Sequence, residues 1–309
     1  MKQKIWIDCD PGIDDAVAIT LASACQDQLE ILGISTVAGN QTLERVTENA
    51  RKLTSFLGIS QVPVAKGANG PLVRIPKFAG YVHGKTGIGN YCLPETDKQV
   101  EKDHAVVVLA RRLASLPPGE KVTLVPMGPL TNIALLLRVF PEVAEHIDKI
   151  CLMGGAAVGG NVTPTGEFNI WADPEAAQIV FTCGLPIVMC GLDVTNLCGL
   201  TREQARSLKE RVNPVTRMVG ELVEFYFQSP VYQGRELAAI HDAVTITYLL
   251  HPDWFTGRDM RVEVDCSEER NRGMTVCDFR GDPGEKHGVT VLLEVKAEQV
   301  REFWMEKLW

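Results

Sequence analysis

The sequence predicts an α/β fold: a mostly parallel central sheet flanked by helices, in a single domain over residues 1–309, with a small antiparallel extension near the C-terminus. Two observations lead there. Strand-length runs that are apolar throughout alternate with stretches at helical spacing, the mark of strands buried on both faces between helices. Past residue 260 the alternation gives way to strand-like runs in succession. With 45% hydrophobic and 23% charged residues, the 309-residue chain can bury a large core, and it shows no internal repeat or low-complexity linker.

The first twenty residues organise the rest. Ile5-Trp6-Ile7 is a strand signal, Pro11-Gly12 a turn, and Val17, Ala18 and Leu21 continue a helix. Between them, Asp8, Asp10, Asp14 and Asp15 crowd four carboxylates into eight positions. Like charges that close do not all stay ionised without a cation. Asp10 falls at the carboxyl end of a strand, where open α/β sheets place ligands. All-oxygen donors there suit calcium or magnesium better than zinc. The plainer alternative makes Asp14 and Asp15 helix caps and turns Asp8 to solvent.

Leu29 to Val37 reads as a second strand ending in Ala38-Gly39-Asn40, followed by a helix from Thr42 to Leu57 and a short strand from Val62 to Lys66. Gly67 to Val100 lacks periodicity; a loop of that length is usually functional or mobile, and it carries the glycine-spaced stretch His83 to Gly89. His104 to Leu116 has helical spacing, Val122 to Pro126 is a strand, and Thr131 is placed to cap a helix from Ile133 to Phe140. Lys149 to Met153 is the next strand. The glycines after it match neither G-x-x-x-x-G-K-[ST] nor G-x-G-x-x-G, so no nucleotide-phosphate loop is read there. Asp173-Pro174 starts a helix and is read as structural. A strand from Pro186 to Cys190 and helices at Arg202 to Arg211 and Val215 to Gln228 follow. An irregular stretch, Ser229 to Ala239, then delivers His241-Asp242 to the start of a helix running to Leu250. Strand-like runs at 261–265, 274–279 and 289–295 follow, the last two joined by a Gly281-to-Gly284 turn, and Ala297 to Leu308 is a closing amphipathic helix.

A net charge of -8 without a run of Lys and Arg argues against nucleic acid or acidic membrane as partner, leaving a small molecule or a protein. Nine scattered cysteines with no C-x-x-C pair predict reduced, mostly buried thiols in a cytoplasmic protein. The apolar start is broken by Asp8 and Asp10 well short of a signal sequence.

Seven ordered motifs resemble the inosine-uridine preferring nucleoside hydrolases, a family of calcium-dependent ribonucleoside N-ribohydrolases: DCDPGIDDA from Asp8, VAGN from Val37, HGKTGIG from His83, MGPLTN from Met127, LMGG from Leu152, GEFN from Gly166, and His241-Asp242. The resemblance spans nearly the whole chain and implies a nucleoside hydrolase-like fold. It implies that Ca2+ is held by Asp10, Asp15, Asp242 and the backbone carbonyl of Met127, with water and the ribose 2′- and 3′-hydroxyls completing its shell. Asp14, Asn40, Asn161, Glu167 and Asn169 would hydrogen-bond the ribose, Asp242 would belong to the substrate site as well as to the metal site, and Met153 would pack against the sugar. Asp10 would act as general base, His241 as general acid towards the departing base, and His83 would help bind the leaving group. The expected reaction cleaves the N-glycosidic bond of pyrimidine ribosides such as uridine and cytidine, and of inosine, to ribose and free base. A homodimer or homotetramer is implied too.

Two departures, Cys9 where Thr is frequent and Ala243 where Pro is frequent, remove no catalytic side chain. The base-contacting segment aligns with neither purine- nor pyrimidine-preferring relatives; Tyr226, Gln228, Tyr232 and Gln233 are its candidates. Two other classes fit the residues less well. A non-catalytic calcium or nucleoside sensor would have lost Asp10 or His241, and both are present. An aspartate-dependent phosphohydrolase has no use for the acids after Pro11-Gly12.

Overall fold

The computed structural model describes residues 2–268, 270–281 and 287–308. The N-terminal half runs β1 (Gln3–Cys9), α1 (Ile13–Ala24), β2 (Leu29–Thr36), α2 (Leu43–Phe56), β3 (Val64–Lys66), α3 (Gly80–His83), α4 (Ala105–Ala114), β4 (Val122–Pro126), α5 (Thr131–Val139) and β5 (Ile147–Met153). The remainder comprises α6 (Phe168–Ala172), α7 (Pro174–Phe181), β6 (Ile187–Cys190), α8 (Leu192–Thr195), β7 (Gly199–Thr201), α9 (Arg202–Lys209), α10 (Pro214–Tyr226), β8 (Leu237–Ala239), α11 (Ala243–Leu250), β9 (Phe255–Asp259), β10 (Val262–Val264), β11 (Thr275–Cys277), β12 (Val289–Val295) and α12 (Ala297–Lys307).

Eight strands form one sheet in the order β3-β2-β1-β4-β5-β6-β12-β9, parallel throughout except for β9, which runs against β12. From β1 the chain winds outward to β3, then returns to the other side of β1 and winds outward again from β4. The carboxyl ends of β1 and β4 therefore flank a crevice at the topological switch point, the place where such sheets bind ligands. The Met127 N–H donates to the Asp8 carbonyl at 2.7 Å, carrying the β1–β4 pairing up to the rim of that crevice.

Both faces of the sheet are covered. On one, α1, α10, α11 and α12 pack over β1 and β5. On the other, α4, α5 and α7 cover Trp6, Leu124 and Ile150. Trp6 fills the space left by Gly33 on β2, and its indole N–H donates to Ser35 Oγ at 2.9 Å. No described helix is long and apolar enough to cross a membrane.

The predicted parallel alternation is present, with differences at three places. Residues 289–295 join the central sheet beside β6, so among the described residues the antiparallel extension consists of the pair β10–β11 and of the edge strand β9 against β12. The edge strand β9 and the separate pair β7–β8 lay in stretches read as irregular or helix-flanking; three-residue strands are too short to show a period. Thr131 does not cap α5. It is the first helical residue, Leu130 holds the cap position, and the Thr131 hydroxyl donates to Asp173 Oδ2 at 2.6 Å. The Asp282-Pro283-Gly284 turn lies outside the described residues. Asp173 is the N-cap of α7, as read, accepting from the Ala176 N–H at 3.1 Å. The cysteines are all free thiols, five of them buried and Cys92 exposed.

Candidate active site

Asp10, Asp14 and Asp15 from the β1–α1 turn converge with Asp242 at the start of α11. The turn is shaped by Asp15, which accepts from the Gly12 N–H at 2.8 Å and the Asp10 N–H at 3.2 Å. The capping role considered for Asp15 is thus real, and it also fixes the carboxylate beneath the cavity. Asp8 is buried, contrary to the plainer alternative, and accepts from Ser35 Oγ and from Asn132 Nδ2. Asp242 stands at the N-cap position of α11 but makes no side-chain capping bond.

Asp14, Asp15 and Asp242 each place one carboxylate oxygen within 4.8 Å of the others. Asp10 lies directly against this trio: its Oδ2 accepts from the Asn40 N–H at 2.6 Å, and Asn40 Nδ2 in turn reaches Asp15 Oδ2 at 3.2 Å. Asp10 Oδ1 is fully buried and has no hydrogen-bond partner among the described residues. A Cβ on Gly39 or Gly128 would collide with the Asp10 carboxylate, so both positions admit only glycine's bare backbone there. Burial pushes Asp10 well above the ordinary carboxylate range, and the Asp15 charge adds to it. Asp242 is raised in the same way, by burial and then by Asp14 and Asp15, and Asp15 is pushed up to about 7 by burial and the Asp14 charge. An unpartnered buried carboxylate oxygen among acids that repel each other is a donor set suited to a hard divalent cation.

Above the acids opens a cavity lined by polar, aromatic and apolar side chains from both halves of the chain. Asp14, Asn40, His83, Met127, Met153, Asn161, Glu167, Asn169, His241 and Asp242 all line it, so residues spread over two hundred positions converge. Asn169 spends its amide N–H groups inward, on the Met127 carbonyl at 2.9 Å and the Met153 carbonyl at 3.1 Å. Its amide oxygen is the group left for a ligand. Glu167 accepts from the N–H groups of Gly155, Asn169 and Ile170, yet burial still raises it to about 7. Asn161 is exposed at the rim, its Oδ1 taking the Phe168 N–H at 2.9 Å.

The opposite wall is aromatic. His83 is buried rather than solvated: its Nδ1 accepts from the Ile13 N–H at 3.1 Å, which leaves Nε2 to carry the ring proton. Tyr226 donates to Asp14 Oδ1 at 2.8 Å, and its ring lies 5.0 Å from the Tyr232 ring, tilted 32° to it. His241 Nε2 lies 3.4 Å from the Tyr232 hydroxyl, and its Nδ1 lies 2.8 Å from Thr195 Oγ1. Burial pushes both histidines below their usual pKa, with the Asp14 charge opposing it. Of the four residues proposed for the base-contacting wall, Tyr226 and Tyr232 line the cavity, whereas Gln228 and Gln233 are exposed outside it. The sequence reading missed Thr195, Asn196 and Arg235. The first two follow the carboxyl end of β6, where the rule that located Asp10 also applies; Arg235 had no such signal.

Residues 5–302 match the family described as inosine-uridine preferring nucleoside hydrolase. The chain is 42% identical to the pyrimidine-specific ribonucleoside hydrolase RihA of Photobacterium profundum, over 100% of this chain and 99% of that protein. It is 43% identical to the enzyme of the same name from Shewanella woodyi, over 96% and 94%. Among solved structures, it is similar to a purine-preferring ribonucleoside hydrolase from Gardnerella vaginalis, with a TM-score of 0.91 at 29% identity over 99% of this chain and 98% of that one. A plant nucleoside hydrolase gives a TM-score of 0.89 at 30% identity over 100% and 99%.

Proposed function

Because the chain belongs to the inosine-uridine preferring nucleoside hydrolase family and hydrolyses ribonucleosides to ribose and free base, we propose that its preferred substrates are pyrimidine ribosides, with inosine as a further substrate, and that Asp10 and His241 carry the chemistry. The observation that supports this assignment most strongly is Asp10 Oδ1, buried and unpartnered among the described residues, beside an acid trio of which Asp14 and Asp242 line the cavity. The pyrimidine preference rests on the two relatives named for it and on the pairing of His83 with His241 in one pocket.

Asp10, Asp15, Asp242 and the Met127 carbonyl are the proposed cation ligands, with calcium the ion their oxygen donors suit best. When bound, the ion supplies positive charge that lets the acids stay ionised together and lowers the pKa of water nearby. Asn40, Glu167, Asn169, Asp14 and Asn161 take ribose hydroxyls, and Met153 packs on the sugar. A sugar lacking a hydroxyl leaves buried polar groups unpaired, so ribose is strongly preferred over deoxyribose. Asp10 takes a proton from water as the water oxygen bonds to C1′ through an oxocarbenium-like transition state. The C1′–N bond breaks with its electron pair going to the base, and His241, entering the step as the imidazolium, delivers its Nε2 proton to a base nitrogen and is left neutral with its proton on Nδ1. His83 sits against the departing base.

The whole chain is read as one nucleoside hydrolase-like domain, assembled as a homodimer or homotetramer in the cytoplasm. The test is ribose release from uridine, cytidine, inosine, adenosine and deoxyuridine, each with calcium and after chelation. Calcium-dependent release led by uridine and cytidine, with deoxyuridine nearly inert, is the expected result; release unchanged by chelation would remove the metal assignment, and adenosine as best substrate would remove the base assignment. Asp10→Asn should lower turnover at least about 100-fold. His241→Ala should slow uridine yet spare a p-nitrophenyl riboside, whose leaving group needs no proton.

A further inference from the structure

We propose that Thr195 is the positioning residue for His241: its hydroxyl, 2.8 Å from Nδ1, fixes the rotation and tautomer of the ring so that the Nε2–H points into the substrate cavity. The inference rests on the reading of His241 as the group that protonates the departing base.

One arrangement satisfies the Tyr232 hydroxyl, both ring nitrogens and the Thr195 hydroxyl together. In it the Tyr232 hydroxyl donates to the Ala239 carbonyl at 3.3 Å and faces His241 Nε2 with a lone pair, so that nitrogen carries the proton. Nδ1 of the neutral ring is then an acceptor, and the Thr195 hydroxyl, fully buried with Nδ1 as its partner, is the donor that meets it. A threonine hydroxyl differs in this from a carboxylate. It donates to Nδ1 in the resting neutral ring and accepts from Nδ1–H both in the imidazolium and in the neutral ring left after Nε2 has given up its proton, so the ring keeps one orientation through the transfer.

The fold delivers both partners rigidly. Thr195 ends α8, which is tied down by the Leu192 N–H on the Gly155 carbonyl at 2.9 Å and by Asp193, which accepts from the N–H groups of Ala157 and Val158. Beyond Thr195 the chain enters β7, which pairs antiparallel with β8: Gly199 faces Ala239, Leu200 faces Ala238 and Thr201 faces Leu237. The Ile240 N–H closes the ladder on the Cys198 carbonyl at 3.0 Å, one residue before His241. This two-stranded sheet is separate from the central one and joins the segment that carries Thr195 to the segment that carries His241. Gly199 lets them approach: a Cβ there would collide with the Ala238 carbonyl.

The test compares Thr195→Val, of the same shape without the hydroxyl, with Thr195→Ser, on uridine and on p-nitrophenyl riboside in calcium-loaded enzyme. For Thr195→Val, kcat on uridine should fall at least about tenfold with KM within about threefold, while p-nitrophenyl riboside is hydrolysed within about threefold of wild type; Thr195→Ser should recover most of the loss. Nitrogen-15 NMR of the histidine rings at alkaline pH should show His241 as the Nε2–H tautomer in wild type and as a mixture in Thr195→Val. Equal losses on both substrates, no loss on either, or a serine variant as poor as valine would overturn the proposal. So would an Nδ1–H tautomer in wild type, a result that does not depend on any variant folding. His241→Ala measured alongside separates the two ideas: equal losses on both substrates remove the acid reading itself, whereas a selective loss there with none in Thr195→Val removes only the role of Thr195.

Discussion

At the scale of single residues, the Asp10 carboxylate is defined by what crowds it. One oxygen is held by the Asn40 N–H, the other is left bare, and the backbones of Gly39 and Gly128 close over them without side chains. The Cβ of Gly128→Ala would lie 2.7 Å from Asp10 Oδ1, closer than any such contact allows, and that oxygen must move. Calorimetric titration with calcium should show affinity weakened at least about tenfold, the size of loss expected when a group that orients a ligand is disturbed, and kcat should fall with it. Unchanged calcium binding would place Oδ1 outside the metal site. The identity of these residues was legible in the sequence, because four acids in eight positions are improbable without a cation. Their division of labour was not: Asp14 joins Asp15 and Asp242 in the tightest trio, while Asp15 also caps α1. Those distances follow from the turn's path, which spacing alone does not specify.

At the scale of elements, one side chain ties three segments together on the far side of the crevice. Asp173 caps α7, accepts the Thr131 hydroxyl at the start of α5, and accepts the Leu72 N–H at 2.9 Å from the loop that leads to the cavity rim. The cap was readable from Asp-Pro; the cross-links were not, since they join residues forty-two and a hundred and one positions away. Asp173→Ala loses a cap and leaves two donors short of an acceptor, a cost of about 2 kcal/mol. Urea unfolding should show that loss while kcat on uridine stays close to wild type; a large loss of kcat with normal stability would give Asp173 a part in the chemistry. Long apolar strands such as 29–36 and 147–153 carried enough pattern to be located from sequence. The three-residue strands β7 and β8 did not, although they hold His241 in place.

At the scale of the whole molecule, burying these acids couples stability to pH and to metal. Asp15 and Glu167 are raised to about 7, and Asp10 and Asp242 are raised well beyond their ordinary range. A carboxyl raised in the folded state favours folding below its unfolded pKa near 4, and that contribution fades as pH climbs through the folded value. Chelated protein should therefore melt at a lower temperature at pH 8 than at pH 5.5. Calcium should restore the loss at pH 8 and act weakly at pH 5.5, where protons compete for the same oxygens. Melting temperatures indifferent to both pH and calcium would mean that the acids are neutralised in some other way. The sequence by itself determined the alternation of strands and helices, the acid-rich turn at the end of the first strand, and the family, because each is written in local pattern or in motifs a few residues long. Only the tertiary structure decided which of the candidate tyrosines and glutamines line the cavity, that 289–295 extends the central sheet, and that Thr195 meets His241, because these depend on backbone paths that bring distant residues within hydrogen-bonding reach.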